Sequence, residues 1–149
     1  MKRAHVTCSL LAVLMMFGQL NLAQGGARKS LYDRLGGSEG IGKIFDEVGG
    51  RMAADPLLAK FFQGQSQESL MTQRNRAVEF LCHETGGPCA YSGRPLKQAH
   101  GSLDITEAQW KAFMKHLTET LDNQKIGSKE KNEFIAVVKR FRGDVVAKK

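Results

Sequence analysis

"CAYSGRPLKQAHGSLDITEAQWKAFMKHLTETL", residues 89–121, joins two unlike pieces of chain. The second piece carries every local sign of a helix. Thr106 followed three residues later by Gln109 is a capping box, whose side chains satisfy backbone N–H groups that a first helical turn leaves without partners. Behind it Trp110, Phe113, Met114, Leu117 and Leu121 recur at spacings of three and four, the stripe of a helix laid against a core. The first piece is rich in turn formers and holds one short helical run, Pro95 to His100, with proline at a helix-start position. So long an irregular connection gains little packing in a small domain unless something fills the space beside it. A bound group is one such filler, and His100, aimed by a short rigid helix, is its candidate ligand. Taken alone, a histidine at a helix end is more simply a surface or capping residue.

The rest of the chain reads as more helices. Ser30 and Asp33 form a capping box that opens a short helix ended by Gly36-Gly37. Ser38 is placed to cap a second, with Ile41, Ile44, Phe45, Val48 and Met52 on one face. Asp55-Pro56 stops it, and an apolar turn follows with Phe61 and Phe62. A third helix runs from Glu68 to Thr85, with Leu70, Gln73, Ala77, Phe80 and Leu81 near one face, and ends at Gly86-Gly87-Pro88. Ser128 begins the last, where Phe134, Val137, Val138, Phe141 and Val145 face inward. No stretch alternates with period two, so the expected fold class is all-α. Periodicity alone leaves bundle and globin-like crossings undistinguished.

The 149 residues, 42% hydrophobic and 25% charged, suit one domain with one core. The formal charge is +7, but the basic residues are interspersed with acids and form no stripe, which argues against nucleic-acid binding. Lys2 and Arg3 precede the uncharged run "VTCSLLAVLMMFGQLNLA", residues 6–23. This reads as a signal peptide over residues 1–25, cleaved after Ala23 or Gly25, leaving a single domain over 26–149 exported to the periplasm. The rival is an uncleaved membrane anchor, since the run lies near the lower limit for a spanning helix. Cys8 belongs to this leader. Cys82 and Cys89 flank Gly86-Gly87-Pro88, and two readings stay open: a disulfide across the reversal, or two free thiols. No second Cys or His pair at zinc-like spacing accompanies them.

Four stretches carry a resemblance: "LYDRLGGSEGI" at 31–41, "RMAADPLLAKFF" at 51–62, "GGPCAYSGRPLKQAH" at 86–100 and "GSLDITEAQW" at 101–110. With them the chain resembles the truncated haemoglobins, the small two-over-two globins, and within these group I. The resemblance implies a two-over-two helical sandwich around haem b, with His100 as the iron ligand and Phe62 stacked on the haem. It places Gln73 and Ala77 on the distal helix, and Tyr91 and Lys97 in the segment around the haem edge, Lys97 as a cation for a propionate. Ile105, Trp110, Phe113 and Leu117 become walls of the pocket. Cys82-His83 ends like the attachment motif Cys-x-x-Cys-His, but Glu79 stands where its first cysteine belongs, so non-covalent haem is expected.

The distal side departs from the family pattern. Gly49 falls where many group I members carry a tyrosine that donates to the bound gas, and Gln73 is the substitute donor. The "QGQSQES" loop is a few residues longer than usual, which loosens the register of Gln73. His5 lies in the leader, and His83 and His116 read as structural or solvated residues instead of sixth ligands.

The implied function is binding of oxygen, NO or CO, in oxygen transport or storage or in NO detoxification, where oxygen attacks NO to give nitrate. Two alternatives stand beside it: an exported electron-transfer haem protein with both axial positions filled, and a haem-free degenerate globin acting as a binding module. The intact set of His100, Phe62 and Lys97 speaks against the last.

Overall fold

The computed structural model describes residues 28–147. The proposed leader lies outside them. The described residues form seven α-helices and one 3-10 turn: α1 (Leu31–Arg34), α2 (Gly37–Ala54), the turn Ala59–Phe61, α3 (Gln67–Glu84), α4 (Leu96–His100), α5 (Glu107–Asn123), α6 (Ser128–Arg140) and α7 (Arg142–Val145). Both expected capping boxes are formed, Ser30 with Asp33 on α1 and Thr106 with Gln109 on α5.

Helix α2 is the hub, packing against α3 on one side and α5 on the other, while α5 packs on α6. The result is two helices laid over two. Ile41, Ile44 and Val48 of α2, Val78 and Leu81 of α3, Leu117 and Leu121 of α5 and Phe134 of α6 form the buried cluster. Each such side chain contributes about 1.5–3 kcal/mol by leaving water. At the α2–α3 crossing Arg74 grips Asp46 with both ends of its guanidinium, at 2.7 and 2.8 Å. Helix α1 is tied to α6 through Arg34, which bonds Glu130 at 2.9 Å and also meets Glu133.

Two expected boundaries are corrected. Ser38 does not cap α2, because the left-handed Gly36 (φ 88°) turns the chain so that the helix begins at Gly37. The Ser38 hydroxyl instead meets the Tyr32 hydroxyl at 3.0 Å. The last helix is not continuous through Val145. It breaks at Phe141, whose ring lies edge-on to Phe80 at 4.9 Å between centroids. The break turns α7 onto α4, and the Ala147 N–H then donates to the Ile105 carbonyl at 2.9 Å.

Candidate haem site

The short α4 presents a histidine with one ring nitrogen held by a backbone carbonyl and the other free. Pro95 stands at its N-cap and His100 in its last turn. Nδ1 of His100 lies 2.9 Å from the Leu96 carbonyl one turn back. A carbonyl only accepts, so Nδ1 carries the proton and Nε2 keeps its lone pair. This is how a ligating imidazole is normally oriented, its second nitrogen held by a backbone acceptor. Leu96, Ala99 and His100 are half-buried, and Lys97 projects into solvent without an ion-pair partner among the described residues. Tyr91 folds back across its own turn, donating its hydroxyl to the Arg94 carbonyl at 2.7 Å, with its ring edge-on to Phe80 at 5.2 Å.

Three further ties hold the segment before α4 to α3. Cys82 and Cys89 form a disulfide, with Cα atoms 5.8 Å apart. The Arg76 guanidinium donates to the Ser92 hydroxyl at 2.7 Å and to Glu79 at 3.0 Å. Nδ1 of His83 lies 3.3 Å from the Cys89 carbonyl, and the side chain is otherwise exposed. Arg76 has the same polar spacing from Gln73 as many ordinary solvated residues, so sequence pattern alone passes over it.

On α3, Gln73, Ala77 and Phe80 follow at i, i+4 and i+7 and share one stripe. Ala77 and Phe80 are half-buried, and Gln73 at the open end is exposed. The Gln73 amide nitrogen donates to Oε1 of Gln65 and lies 3.2 Å from the Ser69 hydroxyl. Gln65 and Ser69 both come from or beside the long "QGQSQES" loop; their four-residue spacing before Gln73 was the available signal for this cluster. Neither was singled out from sequence. Nothing approaches within 4 Å of where a Cβ would stand on Gly49 or Gly50. The glycine pair therefore marks open space and not close packing.

The corner between α2 and α3 is pinned to α5 by two polar contacts. The buried Gln109 donates through Nε2 to the Leu57 carbonyl at 3.2 Å. Nε2 of His116 meets Asp55 at 2.7 Å, and this bond, reinforced by the Leu57 N–H, holds the Asp55 carboxyl below its ordinary value. His116 is thus a tether. Phe61 and Phe62, half-buried, sit at the end of the corner so held. Of the pocket walls expected from the family, Leu117 is buried and Ile105 half-buried. Trp110 is buried, with half-buried Phe113 beside it at 5.5 Å between centroids. Trp110 also borders a surface groove with Met114, Lys139 and Arg142.

These residues suit a flat apolar group. Of the eight phenylalanines Phe17 lies outside the described residues, and of the other seven only Phe134 is buried. Phe45, Phe61, Phe62, Phe80, Phe113 and Phe141 remain half-buried, although aromatic side chains ordinarily dominate a core. Half-buried aromatic surface and an imidazole with a free lone pair are the kinds of lining and donor that a porphyrin iron needs.

A two-over-two helical sandwich carrying such an imidazole defines a haem-binding globin. Residues 30–147 match the bacterial-like globin family. The group 1 truncated hemoglobin GlbN of Nostoc commune is 32% identical over 119 residues, covering 80% of this chain and 98% of that protein. The structure of THB1 from Chlamydomonas reinhardtii, 28% identical, covers 81% of this chain and 99% of its own with a TM-score of 0.67. The 2/2 hemoglobin of a Synechococcus species, 24% identical and 79% against 98% covered, superposes with a TM-score of 0.73. That structure is described as holding covalently attached heme. The chain belongs to the group I truncated haemoglobins within the bacterial-like globin family. It is accordingly a haem protein that binds diatomic gases.

Proposed function

We propose that this protein holds haem b non-covalently, with Nε2 of His100 as the iron ligand, and exchanges a diatomic gas rapidly. The carrying observation is the His100 Nδ1 contact to the Leu96 carbonyl, which fixes the tautomer and leaves Nε2 free. Bound haem supplies ferrous iron with a position open to oxygen, NO or CO. The chain's own part is to hold and tune it. Phe62 and the half-buried stripe of Ala77 and Phe80 offer apolar surface, and Lys97 offers a charge for a propionate. Exclusion of water by these walls protects ferrous iron from oxidation.

Fast exchange follows from the distal residues. Gly49 has no side chain to donate, and the Gln73 amide nitrogen is already engaged. A bound gas with negative charge on its outer atom is retained longer when a donor faces it. Rapid release suits transport or turnover better than storage. The leader-like residues 1–25 and the Cys82–Cys89 disulfide support an exported, periplasmic setting, where such bonds persist. Non-covalent haem is supported by Glu79, which stands where an attachment motif needs cysteine, and by the Cys82 sulfur being taken up in the disulfide.

The test is a visible spectrum of the chain reconstituted with haemin, beside His100→Gly with and without added imidazole. The parent is expected to bind one haem per chain and, once reduced with dithionite, to form a CO adduct. His100→Gly is expected to lose the parent spectrum and regain it with imidazole. A His100→Gly protein with the parent spectrum in the absence of imidazole overturns the assignment. Extraction into acidified butanone checks the non-covalent reading, since covalently held haem stays with the protein.

A further inference from the structure

We propose that Gln65, supplied by the lengthened loop before α3, is a positioning residue that sets gas release by keeping the Gln73 amide committed. The inference rests on the haem reading above and deepens it. Gln65 is itself anchored: its Nε2 donates to the Phe61 carbonyl at 2.6 Å, at the end of the 3-10 turn. Its Oε1 then faces two donors, the Ser69 hydroxyl at 3.1 Å and the Gln73 amide. A primary amide has two N–H donors on one nitrogen. On Gln73 the nitrogen faces Gln65 Oε1 and, at 3.2 Å, Ser69 Oγ, two acceptors that lie side by side 3.1 Å apart. The one amide on the Ala77–Phe80 stripe is thereby already held by two acceptors from the loop side.

A gas that wants a hydrogen bond from Gln73 has to compete with Gln65 for it. Because Gln65 is tied to the backbone of the Phe61–Phe62 corner, the competition is set by the corner and not by α3 alone. Gly49, with open space where a Cβ would stand, adds no donor of its own. Gln65 is half-buried and outside the helix, so its replacement removes a contact without removing a helical residue.

The experiment uses the haem-loaded full chain and its Gln65→Ala, Gln65→Glu, Gln73→Leu and Gln65→Ala/Gln73→Leu variants. The C–O stretching frequency of the ferrous carbon monoxide form is read by infrared, and the oxygen dissociation rate by stopped flow. Gln65→Ala is expected to lower the frequency, as a freed donor turns to the gas, and to slow oxygen release about tenfold, the worth of one net hydrogen bond. Gln65→Glu keeps an accepting oxygen but gives up the N–H bond to the Phe61 carbonyl, and is expected to fall between the parent and Gln65→Ala. Gln73→Leu is expected to abolish the Gln65→Ala effect in the double variant. An unmoved frequency and rate in Gln65→Ala, or the same shift surviving in the double variant, overturns the proposal. A parent chain that takes up no haem overturns the haem reading as well, which separates the two failures.

Discussion

At Gly40 a Cβ would stand 1.8 Å from the Leu35 carbonyl oxygen, whereas at Gly49 it would meet nothing within 4 Å. The two glycines share helix α2 and have opposite uses. Gly40→Ala is expected to destabilise by about 2 kcal/mol or more, because a backbone oxygen has nowhere to go. Gly49→Ala is expected to stabilise by about 1 kcal/mol, the helix-propensity difference alone. Urea unfolding of both variants decides it, and equal effects would show that the space at Gly49 is not open. Gly49→Tyr adds a phenol to the same space and is expected to slow oxygen release relative to the parent. The departure at Gly49 was legible in the sequence, since a missing side chain is visible there. The commitment of Gln73 was not. It depends on where a loop of Gln and Ser residues returns, and polar residues at a four-residue spacing are common on solvated surfaces.

Helices and their ends were legible wherever a local mechanism specifies them. The Thr106–Gln109 and Ser30–Asp33 boxes satisfy the same N–H groups whatever packs around them. Ser38 has the chemistry of a cap, but the left-handed Gly36 before it sets the helix start, and at the break Phe141 packs on Phe80, some sixty residues earlier. The Cys82–Cys89 ring is of the same local kind, and the sequence offered both its outcomes. Closing seven residues of separation restricts the unfolded chain, worth about 2 kcal/mol in the chain-entropy account. Cys89→Ser, or the parent in reductant, is therefore expected to lose about that much in denaturant unfolding. It should also lose haem faster, since the segment before α4 hangs from α3 at this point. A midpoint unmoved by reductant would show that the bond does not constrain the chain in solution. The His116–Asp55 and Gln109–Leu57 contacts fix the corner to α5 in a comparable way, but they join residues more than fifty positions apart and no local pattern announces them.

At the scale of the whole fold, most of the acids among the described residues are matched by a neighbouring base. Arg74 beside Asp46 holds that carboxyl below its ordinary value of 3.8, and His116 does the same for Asp55. A carboxyl with a lowered folded value adds stability above its unfolded value and loses it as the pH falls through the folded one. Acid unfolding is thus expected to steepen below about pH 4. Asp46→Asn should flatten that acid limb while costing under about 1 kcal/mol at neutral pH, because the pair is well exposed. Stability measured from pH 7 down to pH 2 checks both statements, and an unchanged acid limb would remove the pair from the account. The overall two-over-two arrangement was legible only through family resemblance, because helical stripes do not encode crossing angles.

The seat of α4 bears on how the protein comes to be loaded. No residue of this five-residue helix is fully buried, and its main packing partner is α7, which lies beyond residue 140. A growing polypeptide therefore displays His100 well before the element that steadies it has been made. If His100 holds the haem as proposed, cofactor capture belongs to the finished chain, after synthesis and, for an exported protein, after passage through the membrane.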